Sequence, residues 1–243
     1  MNTNLRIILT LAIGAAIFLT AIFLPGELFE SQIARRIATQ GLELILALAA
    51  IAIIGKGKFA AYGFCKPRYE QTSPISLLHW SLFGLGAMAM GGVATTVMLL
   101  SGAAGNPIAR QMTFPEVVIF VWILSSTIEE VLTRGFIQSD LATAIDPQKR
   151  IPFLRVNYPT LISAIFFGLM HLSLWLKGAD FKTLLITILF TFSLGLLAGY
   201  LRDRTKSLFP AIGAHMLANI GGAIGGIIYA IITILSGGEF PIH

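Results

Sequence analysis

The sequence predicts an all-α fold, a polytopic transmembrane helix bundle of about seven (roughly six to eight) spanning helices in a single domain. Three observations carry this reading. Hydrophobic residues make up 56% of the chain and charged residues only 12%, whereas a soluble domain is roughly 25% charged. Apolar runs close to the ~20 residues that cross a bilayer recur along the whole chain. Lysine and arginine collect in alternate connections between those runs, the mark of a threaded membrane topology. Mean hydropathy is +0.81, and no polar stretch is long enough to close a soluble core.

The first run, 7–24, follows Arg6 and is expected to end at Pro25-Gly26. It exceeds the roughly 7–15 apolar residues of a signal peptide and no small-x-small cleavage site follows, so it reads as a retained helix. The second, 37–54, follows an amphipathic stretch with Arg35 and Arg36 and can extend back to Ile33. Glu43, near its start, has no assigned role. The third, 75–100, is interrupted by Gly84, Gly86, Gly91 and Gly92, which leaves room for tilt or a re-entrant piece. The fourth, 115–141, carries Glu129, Glu130 and Arg134. The fifth is 159–176, the sixth 181–201 and the seventh 208–235. Gly221, Gly222, Gly225 and Gly226 form overlapping Gly-x-x-x-Gly steps in the seventh, a pattern for close helix packing. No internal repeat or low-complexity tract is evident.

The formal net charge of +5 would suggest nucleic acid in a soluble protein. Here the basic residues read as topology, and no nucleic-acid partner is expected; the bilayer is the surrounding partner. One side would hold Arg6, Lys56, Lys58, Lys66, Arg68, Lys149, Arg150, Arg155, Arg202, Arg204 and Lys206, 11 in all, and the other Arg35, Arg36, Arg110, Lys177 and Lys182, 5 in all. The positive-inside rule then places the amino terminus in the cytoplasm and the carboxy terminus outside. Lys149-Arg150 can also attract anionic headgroups. The single cysteine, Cys65, excludes an internal disulfide framework.

Ionisable side chains at membrane depth cost roughly 2.5–3.5 kcal/mol each on insertion scales. A chain that keeps Glu129, Glu130 and Arg134 together in an apolar run is expected to use them. Glu130 and Arg134 are four apart and share a helix face, while Glu129 is turned about 100° away. Arg134 would hold Glu130 ionised, and Glu129 would look into a cavity between helices. On the fifth helix Phe167 and His171 are four apart; on the seventh, His215 and Asn219. Counting about 1.5 Å per residue places Glu129, His171 and His215 in one layer. Two carboxylates, two imidazoles and an amide make a hydrolytic set, since a carboxylate can take a proton from water and histidine or asparagine can donate to an oxyanion. Alternatively His171, His215 and Glu129 could ligate zinc with water in the fourth position, although no His-Glu-x-x-His is present. Bland readings stand beside these: a helix-end charge pair for Glu129 and Glu130, an interhelical hydrogen bond for His215 and Asn219, and packing for Phe167. His79 with Trp80 reads as an interface pair and His243 as a tail residue.

Glu129-Glu130-x-x-x-Arg134, Phe167-x-x-x-His171 and His215-x-x-x-Asn219, in this order on successive late helices, resemble the signature of the CPBP family. These are the CAAX proteases and bacteriocin-processing enzymes, also called the Abi family, whose eukaryotic members are type II CAAX prenyl endopeptidases. The resemblance spans 115–235, the helices expected to be catalytic, and leaves 1–114 as variable amino-terminal helices. It implies an intramembrane endopeptidase in which Glu129 and His171 activate water. His215 and Asn219 would stabilise the oxyanion, with Glu130, Arg134 and Phe167 in support. The implied substrate is a peptide or membrane protein, in some relatives a prenylated carboxy terminus. The family has been described both with zinc and without a cofactor, and the metal-free form is favoured here. Two further classes remain: a non-catalytic immunity or scaffold protein, and a small proton-coupled transporter. A transporter would more often show paired halves with broken helices, which this sequence lacks.

Overall fold

The computed structural model describes residues 2–68, 77–153 and 156–237. Arg155, His243 and the side chains of His79 and Trp80 lie outside the described residues. Among those described, the chain is helical, with one isolated β-bridge between Arg150 and Asn157. Seven helices form the bundle: α1 (Thr3–Leu28), α2 (Gln32–Ile54), α3 (Leu77–Leu100), α4 (114–141), α5 (Tyr158–Met170), α6 (Phe181–Thr205) and α7 (Phe209–Leu235). All but α4 contain a stretch long and apolar enough to cross a membrane.

Two expectations need correction. Pro25-Gly26 does not end the first helix, which runs on to Leu28. Proline removes only its own N–H, and its carbonyl still accepts from Phe29 at 3.2 Å, so one turn survives beyond it. The glycines of α3 do not interrupt it either. Gly84, Gly91 and Gly92 face α7 in the most extensive helix–helix contact among the described residues, while Gly86 is exposed and meets nothing. A Cβ on Gly91 would overlap the Ala218 carbonyl, one on Gly221 the Met88 carbonyl, and one on Gly225 the Gly92 carbonyl. The two backbones touch where any side chain would hold them apart, and Thr96 donates to the Gly225 carbonyl at 3.1 Å.

The bundle is apolar outside and polar within. Ile8, Phe23, Ile53, Val93, Ile227 and Leu235 are exposed, while Glu130, Arg134, Thr133, Ser126, Thr160 and Ser163 are buried. An exterior of this kind suits lipid; the protein is an integral multi-pass membrane protein. Helix α4 supplies most of the polar interior and is not a regular α-helix. It is π-helical over Val117–Ser125 and again over Val131–Gln138, with an α-helical turn, Ser126–Glu130, between. Each wider turn takes backbone carbonyls out of the usual ladder, and side chains take them up. Val121 O accepts from Ser126 and Asn219, and Arg134 O accepts from Ser139 at 2.9 Å.

The connections after α2, α4 and α6 meet at one end, as the basic residues imply. There Asp140 accepts from Arg6 at 2.7 Å, Thr10 at 2.6 Å and Tyr62 at 3.3 Å. Burial, with the Asp140 carboxylate beside it, pushes the Tyr62 phenol up to about 12. Asp203 pairs with Arg150 at 2.9 Å and Lys206 at 3.1 Å, and Arg202 donates to the Ala61 carbonyl and to Ser139. Residues counted as topology signals are thus also structural clamps. At the other end Asp180 caps α6 through the Thr183 N–H and accepts from the Ala104 N–H at 2.9 Å, tying the loop after α3 to α6. The Thr183 hydroxyl and the backbone donors hold the Asp180 carboxyl well below the usual range.

Gly221→Leu is expected to separate α3 from α7 and cost about 1–3 kcal/mol or more, read as a lowered unfolding midpoint in detergent, with Gly226→Leu, which meets nothing, as the tolerant control. Asp180→Ala should cost about 1 kcal/mol at neutral pH, the value of a helix cap. Because the carboxyl is depressed in the fold, its contribution is complete above about pH 4 and falls away below it. The gap between wild type and variant in a thermal-melt series should therefore narrow only on acidification.

Candidate active site

The site is assembled around the central turn of α4. Arg134 Nη1 meets Glu130 Oε1 at 3.0 Å, with both side chains fully buried. Two charges in so dry a place persist only if each has further partners. Arg134 also donates to the Thr133 hydroxyl at 2.6 Å, and its guanidinium sits 4.5 Å from the centroid of the Phe167 ring. Room for it comes from Gly195 on α6, where a Cβ would approach Nη2 to 2.9 Å. Ser163 of α5 donates to the Thr133 carbonyl at 2.8 Å, which fixes α5 against this turn.

Glu130 passes the interaction on to α7. The same Oε1 lies 3.1 Å from His215 Nδ1. A carboxylate already paired with arginine only accepts, so Nδ1 carries the proton in this bond. The other ring nitrogen, Nε2, is directed to Glu129 and lies 3.9 Å from its Oε2. Glu129 is turned away from the buried pair, as the sequence implies, and keeps about 20% of its side-chain surface. Its Oε1 accepts a short hydrogen bond from the Ser125 hydroxyl one turn earlier, leaving Oε2 as the oxygen near His215.

His171 stands where α5 tightens into the 3-10 turn His171–Lys177. The backbone N–H of His171 turns to the Gly168 and Leu169 carbonyls, which releases the Phe167 carbonyl. The imidazole takes it up, with Nδ1 at 2.9 Å. A carbonyl cannot donate, so Nδ1 is protonated and Nε2 keeps its lone pair. Phe167 is fully buried, edge-on to His171 at 5.3 Å and to His215 at 5.5 Å between centroids. It spaces the two imidazoles and covers Arg134.

Asn219 donates to the Ser126 hydroxyl at 2.9 Å and to the Val121 carbonyl at 3.3 Å. Its amide therefore ties α7 to the first π-helical stretch of α4. The structure thus brings Glu129, Glu130, Arg134, Phe167, His171, His215 and Asn219 into one neighbourhood on α4, α5 and α7. Sequence reasoning missed Ser125, Ser126, Thr133, Ser163 and Gly195. Ser125 was readable, one turn before Glu129 on an apolar helix; the others are identifiable only by what they touch. For a metal, the donors left over are His171 Nε2, His215 Nε2 and Glu129 Oε2. Among the described residues no three His, Cys, Asp or Glu side chains converge as a ligand set, and both Nδ1 atoms are committed elsewhere.

Arg134→Met should cost about 3–5 kcal/mol, because it leaves Glu130 buried without its cation. Adding Glu130→Leu should recover most of that stability but not the placement of His215. Thermal unfolding of the two purified variants checks this: equal losses would mean that Glu130 is not held by Arg134.

No curated protein and no solved structure matches the chain. One family model does, described as type II CAAX prenyl endopeptidase Rce1-like, over residues 111–221. That span, a little under half of the chain, contains all seven residues just placed, so the part of the chain that builds the site is similar to the type II CAAX prenyl endopeptidases.

Proposed function

We propose that the protein is an intramembrane endopeptidase that hydrolyses a peptide bond in the cytoplasmic half of the bilayer, with the amino terminus in the cytoplasm and the carboxy terminus outside. The observation that carries this reading is the disposition of Glu129, His171 and His215. Each has one polar atom fixed by the scaffold and one left over.

The chemistry follows from those free atoms. A water molecule donates one hydrogen to Glu129 Oε2 and the other to His171 Nε2, which leaves an oxygen lone pair for the scissile carbonyl carbon. Glu129 takes the proton as the C–O bond forms and returns it to the nitrogen as the C–N bond breaks. His215, its Nδ1 held by Glu130, stabilises the oxyanion from its Nε2 side. Asn219 assists by exchanging its longer bond, that to the Val121 carbonyl, for the same oxygen. Glu130, Arg134 and Phe167 hold the imidazoles in place. The reaction uses the protein's own groups. The family is named for prenyl endopeptidases, so a prenylated carboxy terminus is the first substrate class to try, followed by other membrane-bound peptides.

Glu129→Gln removes the base while keeping size and the acceptor for Ser125. It should lower turnover by about 10²–10⁴-fold with little change in stability. The test compares protein termini, by mass spectrometry of membranes from cells lacking the native gene, after expression of wild type or variant at matched levels. Termini that appear with wild type alone support the endopeptidase. Identical profiles from two folded proteins favour a non-catalytic scaffold, and proton-coupled uptake by the purified protein in liposomes would favour a transporter.

A further inference from the structure

The turn between α6 and α7 and the segment 59–68 after α2 form a clasp at one end of the bundle. The Leu208 N–H donates to the Gly63 carbonyl at 2.9 Å and the Arg68 N–H to the Thr205 carbonyl at 2.8 Å. The Ser207 hydroxyl donates to the Cys65 carbonyl at 2.6 Å, and the Cys65 thiol to the Lys206 carbonyl at 3.2 Å. Lys206 caps α6 in the left-handed conformation, at φ 58°, which turns the chain back. This pairing sets Lys66 and Arg68 on one side of the clasp against Arg204 and Lys206 on the other. All four are exposed. The one carboxylate in 59–68 and 202–208 is Asp203. It is buried, and Arg150 and Lys206 both hold it. Among the described residues Lys66, Arg68 and Arg204 pair with no carboxylate. The Arg204 guanidinium lies instead 5.3 Å from the centroid of the Tyr200 ring.

Like charges held together by backbone hydrogen bonds repel one another unless an anion joins them. The place of the clasp identifies that anion. It connects two apolar spans, Phe181–Thr205 and Phe209–Leu235, so its cations stand where a bilayer holds its headgroups. Phe64 and Phe209, beside the cations in sequence, are exposed, as is Phe59, which meets Phe64 edge-on at 5.7 Å between centroids. Exposed rings next to cations suit the boundary between headgroups and acyl chains; a soluble anion would satisfy the charges and leave the rings in water. We propose that Lys66, Arg68, Arg204 and Lys206 form a binding site for the headgroup of an anionic phospholipid, whose acyl chains lie along Phe64 and Phe209. The site is tied to the rest of the bundle. Arg202, at the base of the clasp, donates from Nη2 to the Ala61 carbonyl at 2.9 Å and to the Ser139 hydroxyl of α4 at 3.0 Å. A lipid that braces the clasp therefore braces the ends of α4 and α6 and the start of α7 together.

The experiment titrates the purified protein in neutral detergent with phosphatidylglycerol and with phosphatidylcholine of the same acyl chains. Bound lipid is counted by native mass spectrometry, and the unfolding midpoint is followed alongside. Wild type should hold phosphatidylglycerol more tightly by about tenfold or more, and its midpoint should rise further with that lipid, since a ligand of the folded state stabilises it. Each basic residue near an anionic lipid surface contributes about fivefold in binding. Lys66→Gln combined with Arg68→Gln should therefore weaken phosphatidylglycerol by about tenfold or more and leave phosphatidylcholine unchanged. Lys56→Gln combined with Lys58→Gln removes the same charge from exposed positions of the same end, outside the clasp, and should change either lipid by less than about twofold. Lys66→Gln alone, with a loss of about fivefold, serves if the double variant fails to fold. Equal losses from the two double variants would mean diffuse attraction and overturn the site, as would equal binding of the two lipids by wild type. Displacement of phosphatidylglycerol by an equal concentration of inorganic phosphate would overturn the lipid as its occupant.

Discussion

An arginine and a glutamate buried side by side inside an apolar bundle oblige every neighbouring helix to provide for them. The Glu130–Arg134 pair is fully enclosed, and its unmet demands organise the core. Phe167 comes from α5 to cover the guanidinium, Gly195 on α6 clears space for it, and His215 on α7 shares the carboxylate oxygen that Arg134 holds. Removing water strengthens each of these attractions and raises the penalty for leaving any of them unmade. The pair therefore acts less as a source of stability than as a template that permits one arrangement of four helices.

The candidate catalytic groups derive their orientation from that template and from backbone irregularity beside it. Three groups have one polar atom engaged by the scaffold: Glu129 by Ser125, His171 by the Phe167 carbonyl and His215 by Glu130. In two places the engagement depends on a helix departing from 3.6 residues per turn. The 3-10 turn after Met170 frees the carbonyl that fixes His171, and the π-helical stretch Val117–Ser125 frees the one that Asn219 reaches. Irregular backbone inside a membrane is tolerated where protein side chains satisfy it, and here those side chains belong to the site.

Much of this was legible in the sequence. Spacing alone put Glu130 against Arg134, turned Glu129 away from them, and set Phe167 with His171 and His215 with Asn219 on shared faces, because a four-residue step is nearly one turn of any helix. The glycine steps of α7 announced a close neighbour. The two places where the sequence misled, Pro25-Gly26 and the glycines of α3, are residues whose effect depends on surroundings. A proline one turn from a helix end removes little, and a glycine in a helix weakens it only where no partner backbone takes advantage of the missing side chain.

What the sequence determined by itself was the membrane bundle, its alternating ends and which polar residues share a helix face, since composition and helical periodicity are local properties. Which ring nitrogen of each histidine the scaffold engages, and which helix α7 packs against, were decided only by tertiary structure. These depend on contacts between residues far apart in the chain. Hydrophobicity drives helices into the bilayer but does not choose their neighbours there, so helix pairing rests on close fit and buried polar contacts that appear only when the helices meet.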